Sequence, residues 1–200
     1  PKLKGLPATF TNNDDEADTL EVLMRDRHNG LEATLIYTAF ADLDVITRSI
    51  TLKNNGEFPI NITRVLSTCV DFDHDKFDMI TLNGSWARER HIERAPLHHG
   101  KQLIDSIKGE SSHQNNPFVA LVTNNADEDM GEAYGFNLVY SGNFFAQAEV
   151  TQHKKTRFVM GINPLDFGWL LGVGEEFVAP EAVMVYSDEG IGKMSRTFHD

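Results

Sequence analysis

The segment Gly84-Ser85-Trp86-Ala87-Arg88-Glu89-Arg90-His91 sets an indole beside a turn and follows it with two arginines around a glutamate. A solvent-facing indole among hydrogen-bonding groups is the chemistry of sugar recognition. The apolar face of a pyranose stacks on the ring while its hydroxyls take the polar contacts. On residue type and spacing alone the plainer reading comes first: Trp86 belongs to the core, and Arg88 and Arg90 pair with nearby acids.

Other stretches approach a known chemistry and fall short of it. Asp71-Phe72-Asp73-His74-Asp75 opens like a calcium loop, but Lys76 stands where the turn needs glycine and Leu82 where the bidentate glutamate belongs. A solvated acidic turn is the expectation there. Asn125, Asp127 and Asp129 fail in the same way, with Met130 and Phe136 at those positions. Gly109-Glu110-Ser111-Ser112-His113 lacks the second glycine of a nucleophile elbow, and its serines are expected to hydrogen-bond within a loop. Near the end, Gly192-Lys193 resembles a phosphate loop only at those two residues, because Ser187 replaces the first glycine and Met194 follows the lysine. His91, His98 and His99 lie close in sequence without the disciplined spacing of a metal site, so no metal is expected.

The elements that must position these residues show a period of two. Phe144, Ala146, Ala148 and Val150 alternate with Phe145, Gln147, Glu149 and Thr151. Phe58, Ile60 and Ile62 alternate with Pro59, Asn61 and Thr63, and Phe158, Met160 and Ile162 with Arg157, Val159 and Gly161. Alternation rich in β-branched and aromatic residues marks half-buried strands. Asn29-Gly30, Asn54-Asn55-Gly56, Asn83-Gly84, Ser141-Gly142-Asn143 and Gly172-Val173-Gly174 supply turns between them. Strands at this spacing without intervening helices predict an all-β, antiparallel sandwich with under about one-tenth helix. Residues 94–117 read as a long loop carrying a short helix over Gln102–Ile107. Ile191, Met194 and Phe198 make one apolar helix face over 189–200. That face ends close to the last residue, before it could meet a partner further along the chain, and the first residue is Pro1 rather than Met. Both features read as a fragment of a larger protein.

The 200 residues carry 18 Lys plus Arg against 30 Asp plus Glu, a net charge of −12. That excludes nucleic acid and anionic membranes as expected partners, since both need a basic surface. No apolar run approaches the roughly 20 residues of a membrane helix. Cys69 is the single cysteine and has no internal partner, which points to a reducing, cytoplasmic setting.

Six separated motifs carry a family resemblance. They are Leu6-Pro7-Ala8-Thr9-Phe10, Val45-Ile46-Thr47-Arg48-Ser49, Trp86-Ala87-Arg88-Glu89-Arg90, Ser111-Ser112-His113-Gln114-Asn115-Asn116-Pro117-Phe118, Val139-Tyr140-Ser141-Gly142-Asn143-Phe144 and Gly161-Ile162-Asn163-Pro164. In this order they resemble the amino-terminal domain of bacterial α-galactosidases of glycoside hydrolase family 36. The resemblance implies an antiparallel β-supersandwich over 1–188 with its first strands missing. It also implies that 189–200 begins the helix towards an absent (β/α)8 catalytic barrel. It implies retaining hydrolysis of terminal α-galactosides of the melibiose and raffinose type, without a cofactor, by two aspartates of that barrel. No catalytic residue is therefore expected in this chain. The domain would supply a pocket wall and the contacts of a homo-oligomer, and Trp86 is the residue it would bring to the substrate. Gly192-Lys193 departs from the family, many of whose members are closer to Asn-Gly there. Two other readings stand beside this one: a stand-alone carbohydrate-binding or interaction module on the same scaffold, and a galactosyl-transferring relative.

Overall fold

The computed structural model describes residues 3–13 and 15–199. In chain order the strands are β1 (Ala17–Arg25), β2 (Leu31–Phe40), β3 (Val45–Asn54), β4 (Ile60–Ile62), β5 (Leu66–Phe72), β6 (Phe77–Ser85), β7 (Arg88–Pro96) and β8 (Gly100–Asp105). They continue with β9 (Asn115–Thr123), β10 (Ala133–Leu138), β11 (Phe144–Val150), β12 (Thr156–Ile162), β13 (Trp169–Leu171), β14 (Glu176–Val178) and β15 (Ala182–Ser187). One helix, α1 (Gly190–Thr197), follows. Nine strands form one antiparallel sheet in the order β1-β2-β3-β15-β10-β9-β6-β7, with β14 on β3. A three-stranded sheet β11-β12-β5 and a two-stranded ribbon β13-β4 form the opposing layer, with β8 alongside β11. The all-β, antiparallel sandwich with a short helix at its end is as expected from the alternation.

The main core fills the space between the layers. Phe77, Met79, Leu121, Phe136 and Leu138 of the large sheet meet Phe144, Phe158 and Met160 of the small one. Phe136 stacks on Phe158 with ring centroids 4.1 Å apart. A second core lies on the outer face of the large sheet, where Ala120, Val122, Ala133 and Val185 are covered by Met194 of α1. The central strands are thus buried on both faces, and strand β11 likewise buries both of its alternating sets except for the half-buried Glu149. Half-burial of β11, the simplest reading of its alternation, is therefore corrected: Phe145 and Gln147, which point away from Phe144, Ala146 and Ala148, are buried as well, and the Arg64 guanidinium lies over the Phe145 ring.

Three local expectations change. The strand expected from Phe58 begins only at Ile60, and Phe58 is 76% exposed. Pro59 lacks an N–H for the ladder, and the Phe58 carbonyl instead accepts from Asn54 Nδ2 at 2.9 Å. The irregular stretch shrinks to the short link 97–99 and to 106–114, since 88–96 and 100–105 are strands. No helix forms over Gln102–Ile107. Gln102 and Ile104 are half-buried while Lys101 and Leu103 are exposed, an alternation that suits β8 on the sandwich edge and no helical face. Helix α1 finds its partner within this domain: Phe198 packs edge-on against Phe118 at 5.5 Å. Gly135 on β10 makes room for this, because a Cβ there would lie 2.4 Å from the Phe198 ring and 2.9 Å from Met194 Sδ.

Phe158 is completely buried and stacked. Phe158→Ala is expected to lower the unfolding free energy by about 3–5 kcal/mol, because the cavity lies between two layers that cannot both collapse into it. Urea denaturation measures this, and a loss under about 1 kcal/mol would contradict the packing described.

Candidate functional site

Strands β6 and β7 form a hairpin at one edge of the large sheet, and its tip is Ser85-Trp86-Ala87-Arg88, with Ser85 opposite Arg88. The turn falls at Trp86-Ala87 rather than at Asn83-Gly84, as the sequence suggested, and Ala87 takes a left-handed φ of 62°. One extra residue on β7 makes a bulge opposite Gly84, since Asn83 pairs with His91 while Ser85 pairs with Arg88. Arg90 sits in that bulge with a φ of 57°. Non-glycine residues seldom adopt this region, and bulges recur where a side chain must be re-aimed.

Trp86 is 83% exposed at the tip. Strand β7 has no further strand beyond it in the sheet and is exposed along its length. The core placement of Trp86 is therefore corrected, as is the pairing of its arginines: among the described residues neither Arg88 nor Arg90 forms an ion pair. The physical reason is the edge position, where nothing packs across the tip. Arg94, which the sequence did not single out, anchors the hairpin. Its guanidinium donates to Asp78 Oδ2 at 2.7 Å and to the carbonyls of Ala126, Thr123 and Asn124.

Between the hairpin and α1 runs a groove of about 700 Å³. Ile80, Leu82, Ile92 and Phe118 floor it, and Met194 and Phe198 wall it. The bulge directs Arg90 to this groove, while Trp86 does not line it. No sequence signal marked the groove, because its apolar residues come from segments more than a hundred positions apart. Trp169 also went unmarked; it packs on Phe177 at 5.4 Å and stays 47% exposed.

The remaining motifs resolve into structure. Asp71 accepts a bidentate pair from Arg157 at 2.7 and 2.8 Å, and Asp73 accepts from Lys155 at 2.8 Å. Asp127 Oδ1 accepts the amides of Asp129 and Met130. The turn so formed offers its carbonyls to the start of α1: Ile191 N–H donates to Asp127 and Gly192 N–H to Glu128. The glycine-rich residues thus spend their amides on the chain itself. Ser112 Oγ accepts from Gln114 N within its loop. The backbone of His98 exchanges two hydrogen bonds with the Gln102 amide group. Among the described residues no group of three His, Cys, Asp or Glu side chains could hold a cation.

Residues 1–172 match the Glycosyl hydrolase family 36 N-terminal domain. The chain is 54% identical over 200 residues to the α-galactosidase AgaA of Geobacillus stearothermophilus, covering all of this chain and 27% of that protein. To the α-galactosidase Mel36A of Lactobacillus acidophilus it is 45% identical over 199 residues, again across 27% of the relative. A crystal structure of an AgaA variant in complex with stachyose superposes with a TM-score of 0.98 at 54% identity, over 100% of this chain and 28% of that one. The chain spans about a quarter of the length of these relatives.

The former calcium-loop residues yield a pH prediction. Hydrogen bonding from Arg157, reinforced by its charge, holds the Asp71 carboxyl below its usual range. Its stabilising effect is complete above the ordinary carboxylate value of about 4 and is lost as pH falls through the lowered folded value. Both partners are more than half exposed, so the effect is small. Arg157→Ala is expected to flatten the acid limb of Tm against pH; superimposable acid limbs would show that the pair does not contribute.

Proposed function

The chain belongs to the glycosyl hydrolase family 36 N-terminal domain family, and from that premise we propose that it is the amino-terminal domain of an α-galactosidase acting on terminal α-galactosides. Stachyose, bound by the AgaA variant, is the class of substrate proposed for the full-length protein. The hydrolysis proceeds with retention through two carboxyl groups about 5–5.5 Å apart, one a nucleophile and one an acid/base. Both lie in the part of the protein that this chain does not span. The reaction needs no metal or cofactor. The domain's share in it is a wall of the galactose pocket.

The observation that carries this reading is the exposure of Trp86, 83%, at the tip of a hairpin anchored at its base by Arg94. An exposed indole contributes little to folding, so its apolar plane and single N–H donor are free to face a sugar. The proposal extends to a cytoplasmic homo-oligomer. Cys69 supports the compartment, being an exposed free thiol suited to a reducing medium. Leu20 and Leu23 of the edge strand β1, 61% and 66% exposed, support subunit contacts.

Two expected outcomes test this. Residues 1–200 alone give no turnover of an aryl α-galactoside above a mock preparation. In the full-length enzyme Trp86→Ala costs roughly 1–3 kcal/mol of substrate binding, about ten- to a hundred-fold in kcat/KM, with Tm nearly unchanged. A mutant that loses stability but keeps its KM would defeat the pocket-wall reading.

A further inference from the structure

We infer that Gly84 is a positioning residue for Trp86, an inference that rests on the pocket-wall reading of that tryptophan. At 83% exposure Trp86 has almost no packing of its own to hold its direction. That direction must come from the backbone that carries it. Gly84, two residues earlier on β6, lies where the hairpin is tightest. A Cβ built on it would meet the Arg88 carbonyl oxygen at 2.3 Å and Glu89 Cα at 2.8 Å. Both are backbone atoms of the opposite strand, so no side chain can swing away to relieve the contact. Any larger residue must push β7 off β6 at the bulge, and the turn bearing Trp86 follows at once.

Two further features make the tip a defined arm. Ala87 and Arg90 hold left-handed φ values of 62° and 57° on either side of the Arg88-Glu89 contact. The Gly84 N–H donates to the Gln114 carbonyl at 3.1 Å, and Asn83 pairs with Asn115. The 106–114 loop is itself tied down, by Gly109 N–H to Asn143 Oδ1 at 2.6 Å and Ser111 N–H to the Ser141 carbonyl at 2.8 Å. Gly84 is the point where the hairpin strands and this braced loop converge. A glycine there lets the bulge close, and the closed bulge aims the tryptophan.

The test is a double-mutant cycle in the full-length enzyme, reading KM and kcat for raffinose together with Tm. Gly84→Ala is expected to raise KM about tenfold with kcat little changed, as a misplaced binding group does. In a Trp86→Ala background the same substitution adds less than about twofold, because it acts through the residue already removed. If Gly84→Ala raises KM equally in both backgrounds, or leaves it unchanged while Trp86→Ala raises it, the positioning role is refuted and the pocket-wall reading survives. If Trp86→Ala itself leaves KM unchanged, the pocket-wall reading falls and takes this inference with it. Should Gly84→Ala not fold, Ala87→Val replaces it. That site is exposed, and a β-branched residue is strongly disfavoured at its positive φ. The same KM rise, absent without Trp86, is expected, and additive effects would overturn the role.

Discussion

The centre of the large sheet is buried on both faces, and the rest of the domain follows from that. Val119, Ala120, Leu121 and Val122 of β9 have no exposed surface. A strand in that position needs an apolar layer on each side and a ladder partner on each edge, because water can reach none of its polar groups. Strands β11 and β12 cover one face and α1 the other, while β10 and β6 flank it. Gly135 permits the helix to come close enough for Met194 and Phe198 to pack onto the sheet.

What can be spared for function is then found at the margins. Strand β7 pairs only with β6 and is exposed along its length, so its sequence carries few core duties. Apart from Glu93, which accepts from Asn83, and the anchoring Arg94, its charges form no ion pair among the described residues, and its tip carries a large aromatic ring into solvent. The same freedom removes the packing that would orient that ring. The hairpin substitutes backbone constraint for packing, through a bulge, a left-handed turn residue and a glycine that touches the opposite main chain. Strained positions of this kind persist only where their surroundings over-determine them. Here Arg94 and the braced 106–114 loop do so.

Two motifs that fail as ligand sites turn out to brace each other. The Asp127 carboxylate folds the 127–131 turn, and the carbonyls of that turn receive the first amides of α1. A Cβ on Gly190 would lie 2.6 Å from Met130 N, and one on Gly192 2.7 Å from the Glu128 oxygen. Glycines that resemble a phosphate loop are needed for this close approach between two backbones, and the helix dipole is met by the protein's own carbonyls rather than by an anion.

The alternation of apolar and polar residues, the Asn-Gly turns and the absence of helical periods determined the all-β class from sequence alone, because side-chain direction in a strand is a local property. The same local rule placed a helix after Ser187 from Ile191, Met194 and Phe198. Motif order carried the family, and with it the expectation that Trp86 meets the substrate. Tertiary structure alone decided which strands are covered twice, since one period of two cannot say what lies on the second face. It also decided that Gly100–Asp105 adds to the sandwich edge where a helix over Gln102–Ile107 was expected, that Arg94 anchors the hairpin across to the 123–126 turn, and that Gly84 abuts Arg88 and Glu89. Each of these is a contact between main chain and a partner on another strand or turn, and its existence depends on register and twist, which no single segment encodes.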